Sequence, residues 1–238
     1  MSADLLIAEL KAIGSKEKIA DFTRFFKTEP GQYGHGDLFL GVNIPQNREL
    51  CKKYQNIELT EIDKLFTSPY HESRLAAAII LNHKFKLAKT AIERKNIFDF
   101  YIKEVKAGWV NNWDIVDISA PYMGAFLSEL NDNNSLLHDL ANSKSLWERR
   151  TSIMMTFALL RQKNYQPTIL ISKTLLNDDH DLIHKAVGWM LREVGKRDLK
   201  LLQDFLTNYA TQMPRTMLRY AIEKFPESER KQWLTAGK

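Results

Sequence analysis

The chain has 238 residues, 44% of them hydrophobic and 26% charged, with 34 lysines and arginines against 29 aspartates and glutamates. That length can bury a substantial core, the balance is that of an ordinary globular protein, and a net charge of +5 permits a polyanionic partner without requiring one. Cys51 is the sole cysteine, which excludes an intramolecular disulfide and points to a reducing compartment.

The first residues, Met1 to Lys11, carry neither the basic start nor the long apolar block of a secretory leader, and no stretch approaches the ~18 apolar residues of a membrane span. A cytoplasmic chain is therefore expected. Leu5, Ala8, Glu9 and Ala12 predict an amphipathic helix ended by Gly14, and Ser15 with Lys18 opens a second helix toward Phe22, Phe25 and Phe26. Between Pro30 and Pro45 the glycines Gly31, Gly34, Gly36 and Gly41 predict a loop. Its Gly34-His35-Gly36 lacks the preceding strand and the spacing of a phosphate cradle. No segment alternates with period two between hairpin turns, which argues against a sheet of any size.

From about residue 46 the helices look repetitive. Ser73-Arg74-Leu75-Ala76-Ala77-Ala78, Arg149-Arg150-Thr151-Ser152-Ile153-Met154 and His184-Lys185-Ala186-Val187-Gly188-Trp189 superpose, with a basic residue second and small residues where helices must approach. Arg74 to Arg150 is 76 residues, about two repeats of 38, and Arg150 to Lys185 is 35. Periods of that size, two helices each, predict an all-α chain: a HEAT-like or armadillo-like α-solenoid of helical pairs. One domain over residues 1–238 is expected, with a concave basic groove suited to an elongated ligand.

On a helix carrying Trp113, Ile115, Ile118 and Tyr122 share one stripe, while Trp113 and Asp117 share a face roughly opposite. Pro121 should kink or end that helix, since its ring clashes with the carbonyl of Asp117. A surface tryptophan and aspartate packed by a neighbouring repeat would give the same pattern. Trp189 lies to one side of an Ile183, Val187, Met190 and Val194 stripe, near Lys185, Arg192 and Lys196. It reads either as a stacking platform beside phosphates or as a boundary indole covered by lysine stems. Arg150 stands in an apolar stripe with Leu146, Met154 and Phe157. It must meet a carboxylate, a phosphate or a groove, with Asp117 one candidate partner. His180 and His184 have the spacing of metal ligands, but Asp181 replaces the metalloprotease glutamate and no third ligand is evident. Cys51 reads as a packed small hydrophobe.

Taken together, Trp113-Asp114-Ile115-Val116-Asp117, Trp147 with Arg150, Lys185-Ala186-Val187-Gly188-Trp189-Met190-Leu191-Arg192-Glu193 and Phe39-Leu40-Gly41-Val42-Asn43-Ile44-Pro45 resemble the AlkD-type DNA alkylation-repair glycosylases, a family of HEAT-like-repeat proteins. Two positions depart from that pattern: Asn112 stands where another tryptophan is frequent, and Asn43 where some members carry a longer amide. The resemblance implies that Trp113, Asp117 and Trp189 line a cleft beside a damaged nucleotide and that Arg150 holds its phosphate. It implies double-stranded DNA containing alkylated bases as partner, excision of cationic purines such as 3-methyladenine and 7-methylguanine, and no enclosing base pocket. No metal or cofactor is expected, and a monomer is. Two rivals remain at this point. One is a non-catalytic repeat protein that binds damaged or branched DNA, the other a helical scaffold for another protein. A carboxylate at Asp117 separates the enzyme from the pure binder, which gains nothing from a negative charge near phosphates.

Overall fold

The computed structural model describes residues 1–130 and 133–236. Among them it contains fourteen α-helices, two short 3-10 segments and no strand beyond one isolated parallel bridge, Leu38 to Tyr70. The all-helical class expected from the sequence is present, with helices packed against their chain neighbours in pairs, as in an α-solenoid. Two compact units divide the chain, Met1–Ser119 and Ala120–Lys238.

The first unit holds α1 (Ala3–Ile13), α2 (Lys16–Phe25), α3 (Ile44–Cys51), α4 (Leu59–Phe66), α5 (His71–Leu87), α6 (Ala91–Lys106) and the start of α7 (Trp113–Met123). Helix α5 is its spine. Ala76, Ala77 and Ala78 are fully buried, so with side chains this small α3 and α4 can both lie close to its axis. Local chemistry fixes the helix starts. Asn43 caps α3 in a reciprocal box with Gln46, with Pro45 in the first turn, and Thr90 caps α6 in the same way with Glu93. In α1 the buried residues are Ala3, Leu6 and Leu10, while Leu5 is 48% exposed. The expected Leu5, Ala8, Glu9 and Ala12 stripe is thus not the one that packs. Both sets have helical spacing, and contact with α4 chose between them. Helix α2 buries none of its residues, and Phe25 is 62% exposed.

The expected loop runs from Phe26 to Asn43 in turns and irregular backbone. Gly41 is obligatory there: its φ is +77°, and a Cβ would stand 2.1 Å from the carbonyl oxygen of Ser15.

The second unit holds the end of α7, a 3-10 segment (Gly124–Glu129), α8 (Asn133–Ala141), α9 (Leu146–Arg161), α10 (Gln166–Thr174), α11 (Asp181–Gly195), α12 (Leu199–Tyr209), α13 (Arg215–Ala221) and α14 (Glu227–Ala236). Helix α9 packs against α8, α10 and α11, and α11 packs in turn against α12 and α13. The α11–α13 approach is close because Gly188 has no side chain: a Cβ would lie 2.5 Å from the carbonyl oxygen of Met217. Helix α7 continues as an α-helix for two residues beyond Pro121 and then tightens into the 3-10 segment. Proline removes one amide bond, and the tighter winding follows within a turn.

Candidate functional site

In the first unit, Trp113 begins α7 and Asp117 follows one turn later, both half-buried, while Ile115 and Val116 point into the core. Of the stripe expected to pack, only Ile115 is buried: Ile118 and Tyr122 are half-buried like the pair itself, and Val116, Ala120 and Met123 fill the core instead. Trp113 stacks on Phe26 at 5.5 Å between ring centroids and 19° between planes, and Phe25 meets it edge-on at 5.8 Å. Phe26 continues the stack onto Phe39 at 5.1 Å and tilts against His71 at 4.7 Å. Aromatic pairs of this kind contribute about 0.5–1.5 kcal/mol each beyond their area burial. The indole is therefore held on one side by a rigid aromatic column.

The backbone at Trp113 is held as firmly. Asn112, fully buried, accepts the Trp113 amide through Oδ1 at 2.8 Å, and its own carbonyl accepts the Val116 amide. Its Nδ2 donates to Asp37 Oδ2 at 3.2 Å. The departure from tryptophan at this position thus has a structural role as helix cap and link. On the other side of Trp113, Asp114 Oδ2 pairs with His71 Nε2 at 2.9 Å, and His71 Nδ1 faces Asp37 Oδ2 at 3.3 Å. Arg74 donates to Asp37 and to the Ser68 carbonyl. Burial pushes the His71 pKa down, but Asp114 and Asp37 outweigh it and raise the value to about 9. Burial likewise acts to raise Asp37, yet His71 and Arg74 hold it below the usual carboxylate range. The cluster is therefore two cations facing two anions.

Behind it, Glu72 is 1% exposed and accepts the amides of Leu40, Gly41 and Val42 at 2.8–3.2 Å, which shapes the loop carrying Asn43. Asn43 spends its Oδ1 on the Gln46 amide at 3.0 Å.

In the second unit, Arg150 and Trp189 sit on the packed helices α9 and α11. Arg150 is 4% exposed and donates through Nη1 to the Leu182 carbonyl in the first turn of α11. Arg74 of the superposed segment also donates to a backbone carbonyl, but to that of Ser68, six residues back and just ahead of its own helix α5. Arg149 bonds Asp178 Oδ2 at 2.6 Å and the carbonyls of Ser143 and Lys144. Trp189 is half-buried, and Trp147 in the first turn of α9 is too. The cations expected around Trp189 are ion-paired: Lys185 with Asp181 at 2.7 Å, Lys196 with Glu193 at 2.5 Å, and Arg192 with Glu223.

The two histidines with metal spacing have local partners instead. His180 Nδ1 accepts the Leu182 amide at 3.1 Å as the cap of α11, and His184 Nε2 meets the Asp178 carbonyl. Cys51 is buried against Asn47 and the Ala76 carbonyl, and burial pushes its thiol up to about 12, where it is neither nucleophile nor ligand at neutral pH.

Sequence reasoning missed Phe25, Phe26, Asp37, His71 and Glu72 as part of this architecture. A histidine, a glutamate and an arginine opening an otherwise apolar α5 was the available signal, because that face has to be buried and its charges need partners.

Helices packed in neighbouring pairs, with no sheet among the described residues, place the chain in the all-helical, solenoid-like class. Within that class, the family described as DNA alkylation repair enzyme matches residues 6–225, and the chain belongs to it. A solved structure described as a predicted DNA alkylation repair enzyme from Enterococcus faecalis superposes with a TM-score of 0.68 at 15% identity, covering 90% of this chain and 97% of that one. At that identity the likeness speaks for the fold. No protein with a curated description matches the sequence. Among the described residues no helix is long and apolar enough to cross a membrane.

Proposed function

We propose that this member of the DNA alkylation repair enzymes is a glycosylase that hydrolyses the N-glycosidic bond of cationic alkylpurines, 3-methyladenine and 7-methylguanine, in duplex DNA. The observation that carries the reading is the half-exposed pair Trp113 and Asp117, one turn apart on the face of α7 that the core leaves open.

The chemistry suits such a pair. A purine alkylated on a ring nitrogen is positively charged and leaves without a general acid. As the bond breaks, positive charge passes to the sugar, giving an oxocarbenium-like species. The Asp117 carboxylate stabilises that charge more in the transition state than in the ground state, and it orients the attacking water. The Trp113 and Trp189 faces attract the same cation, each by about 0.5–2 kcal/mol depending on desolvation. Arg150 secures the backbone through a charge-assisted phosphate contact, made from a guanidinium that Leu182 already fixes in direction. The remaining affinity comes from lysines and arginines along a concave basic face, without reading sequence. In this reading the protein works on DNA as a cytoplasmic monomer, no cofactor takes part, and the lesion is processed without a base-binding pocket.

The deciding experiment incubates the purified protein with methylated duplex DNA and measures free 7-methylguanine. Release that disappears in Asp117→Asn supports the reading. Tight DNA binding with no released base would replace it by a non-catalytic damage binder.

A further inference from the structure

Four of the charged side chains buried in the first unit form one hydrogen-bonded cluster that takes no part in the chemistry above: Asp37 at 7% exposure, His71 at 2%, Arg74 at 3% and Asp114 at 5%. They come from three separate pieces of chain, the loop before α3, the first turn of α5 and the first turn of α7. Burying such a set rarely stabilises a fold more than apolar side chains of the same volume would. What it does here is fix geometry.

Three routes lead from the cluster to Trp113 or to the residues beside it. Asp37 holds Asn112, which accepts the Trp113 amide. Asp114, on the other side, is held by His71 and accepts the Ile115 amide at 2.9 Å. Phe26 touches both the His71 ring and the Trp113 indole. The residues before and after Trp113 and the ring beneath it are thus tied to one buried anchor, and Asp117 follows one turn along the same helix.

We propose that Asp37, His71, Arg74 and Asp114 are positioning residues for base excision: a buried, hydrogen-bonded anchor that holds Trp113, and with it Asp117, in register for the cationic sugar. The proposal rests on the glycosylase reading, but its structural half can be tested apart from it. The groups that face His71 are Asp37 from the loop and Asp114 from α7, and Arg74 in turn faces Asp37, Asp114 and Glu72. With the ring cationic, both nitrogens donate, one to each carboxylate.

The test uses the full chain. His71→Gln keeps a donor but leaves Asp37 and Asp114 facing Arg74 alone. The double variant H71Q/D114N restores the balance of charge. In single-turnover excision of 7-methylguanine, H71Q should slow the reaction by about tenfold or more while its Kd for duplex DNA changes by less than about threefold, the pattern expected when alignment is lost and ground-state binding kept. The indole N–H resonance of Trp113, assigned by its disappearance in Trp113→Phe, should move in H71Q and return toward its original position in H71Q/D114N, with partial recovery of rate.

An H71Q protein that melts earlier but, while folded, keeps both the resonance and the rate overturns the proposal and leaves a purely structural cluster. Should H71Q not fold, Asn112→Ala cuts the link to Trp113 without changing charge, and an unmoved resonance with normal rate there overturns it equally. If the wild-type protein releases no base, the excision reading fails on its own. The resonance then decides whether the anchor positions Trp113.

Discussion

His71 and Asp114, 43 residues apart in sequence, meet in a 2.9 Å contact between Nε2 and Oδ2 with both side chains almost fully buried. This contact ties the start of the spine helix α5 to the start of α7, and it has a consequence for stability against pH. The folded-state pKa of His71, about 9, stands above the ordinary value of 6.5. A group raised on folding contributes stability that is complete below its unfolded value and is lost as pH rises through the folded one.

The melting temperature should therefore decline from about pH 6.5 to about 9, where the unfolded chain has lost the proton that the folded one keeps, and this contribution levels off above 9. Cys51 and Tyr54, both pushed up to about 12 from ordinary values of 9 and 10, stay protonated in the folded chain but ionise in the unfolded one, so they lower stability only above that window. On the acid side the sign reverses for Asp37, whose lowered pKa gives stability that is lost as pH falls below the usual carboxylate range. Thermal melts from pH 3 to 9 check both flanks, and a melting temperature that does not move between pH 6.5 and 9 would refute the imidazolium.

Gly188→Ala should destabilise the second unit, because the new Cβ meets the Met217 carbonyl and the Tyr220 side chain at 2.5 Å. Overpacking of this kind costs about 1–3 kcal/mol. Denaturant unfolding should show an earlier midpoint with an unchanged slope. A neutral result would mean that α13 moves aside at little cost.

The helices were legible in the sequence because periodicity and capping are local signals. Asn43, Thr90, Ser145 and Asp198 all stand where their side chains cap a helix. The face of α1 was not legible, since Leu5 and Leu6 are equally apolar and only contact with α4 selects Leu6. That Trp113 and Asp117 lie off the packed face could be read from helical spacing, although Ile118 and Tyr122, expected in the packed stripe, are half-buried and Val116, Ala120 and Met123 take their place. The network beneath them could not, because Asp37, His71 and Asp114 are joined across 34 and 43 residues by hydrogen bonds that leave no period in the chain. Arg150 was legible as a cation in need of a partner, but not that a backbone carbonyl of α11 would supply it.

If Arg150 neutralises a phosphate, log affinity for duplex DNA should fall linearly with log salt, and Arg150→Ala should make the slope shallower by about 0.9. The same variant leaves the Leu182 carbonyl without its donor, so a melting curve must accompany the titration. Arg150→Ala with the wild-type slope but a lower melting temperature would assign Arg150 to the fold alone.

Asp117→Asn keeps the size of the side chain and removes its charge, so DNA affinity should change little while excision slows by about 10²–10³. Single-turnover release of 7-methylguanine, set beside equilibrium binding, separates the two effects. Full activity in this variant would exclude Asp117 as the stabilising group. Equal losses of binding and rate would mean that its charge serves the folded structure instead.

Substrate choice follows from where the activation comes from. When the lesion's own positive charge makes it a leaving group, selectivity tracks the lability of the glycosidic bond and not the outline of the base. Cationic 3-methyladenine and 7-methylguanine should be released, and bulkier cationic adducts should be accepted as well if the lesion is processed without a base-binding pocket, as proposed. Neutral uracil and hypoxanthine, which need protonation or hydrogen-bonded stabilisation to depart, should stay in place. The candidate residues offer no acid that could protonate them, since the His71 imidazolium is 2% exposed and already engaged with two carboxylates, and Cys51 is buried. Parallel assays on duplexes carrying each lesion would check this, and efficient excision of uracil would require a proton donor outside the set named here.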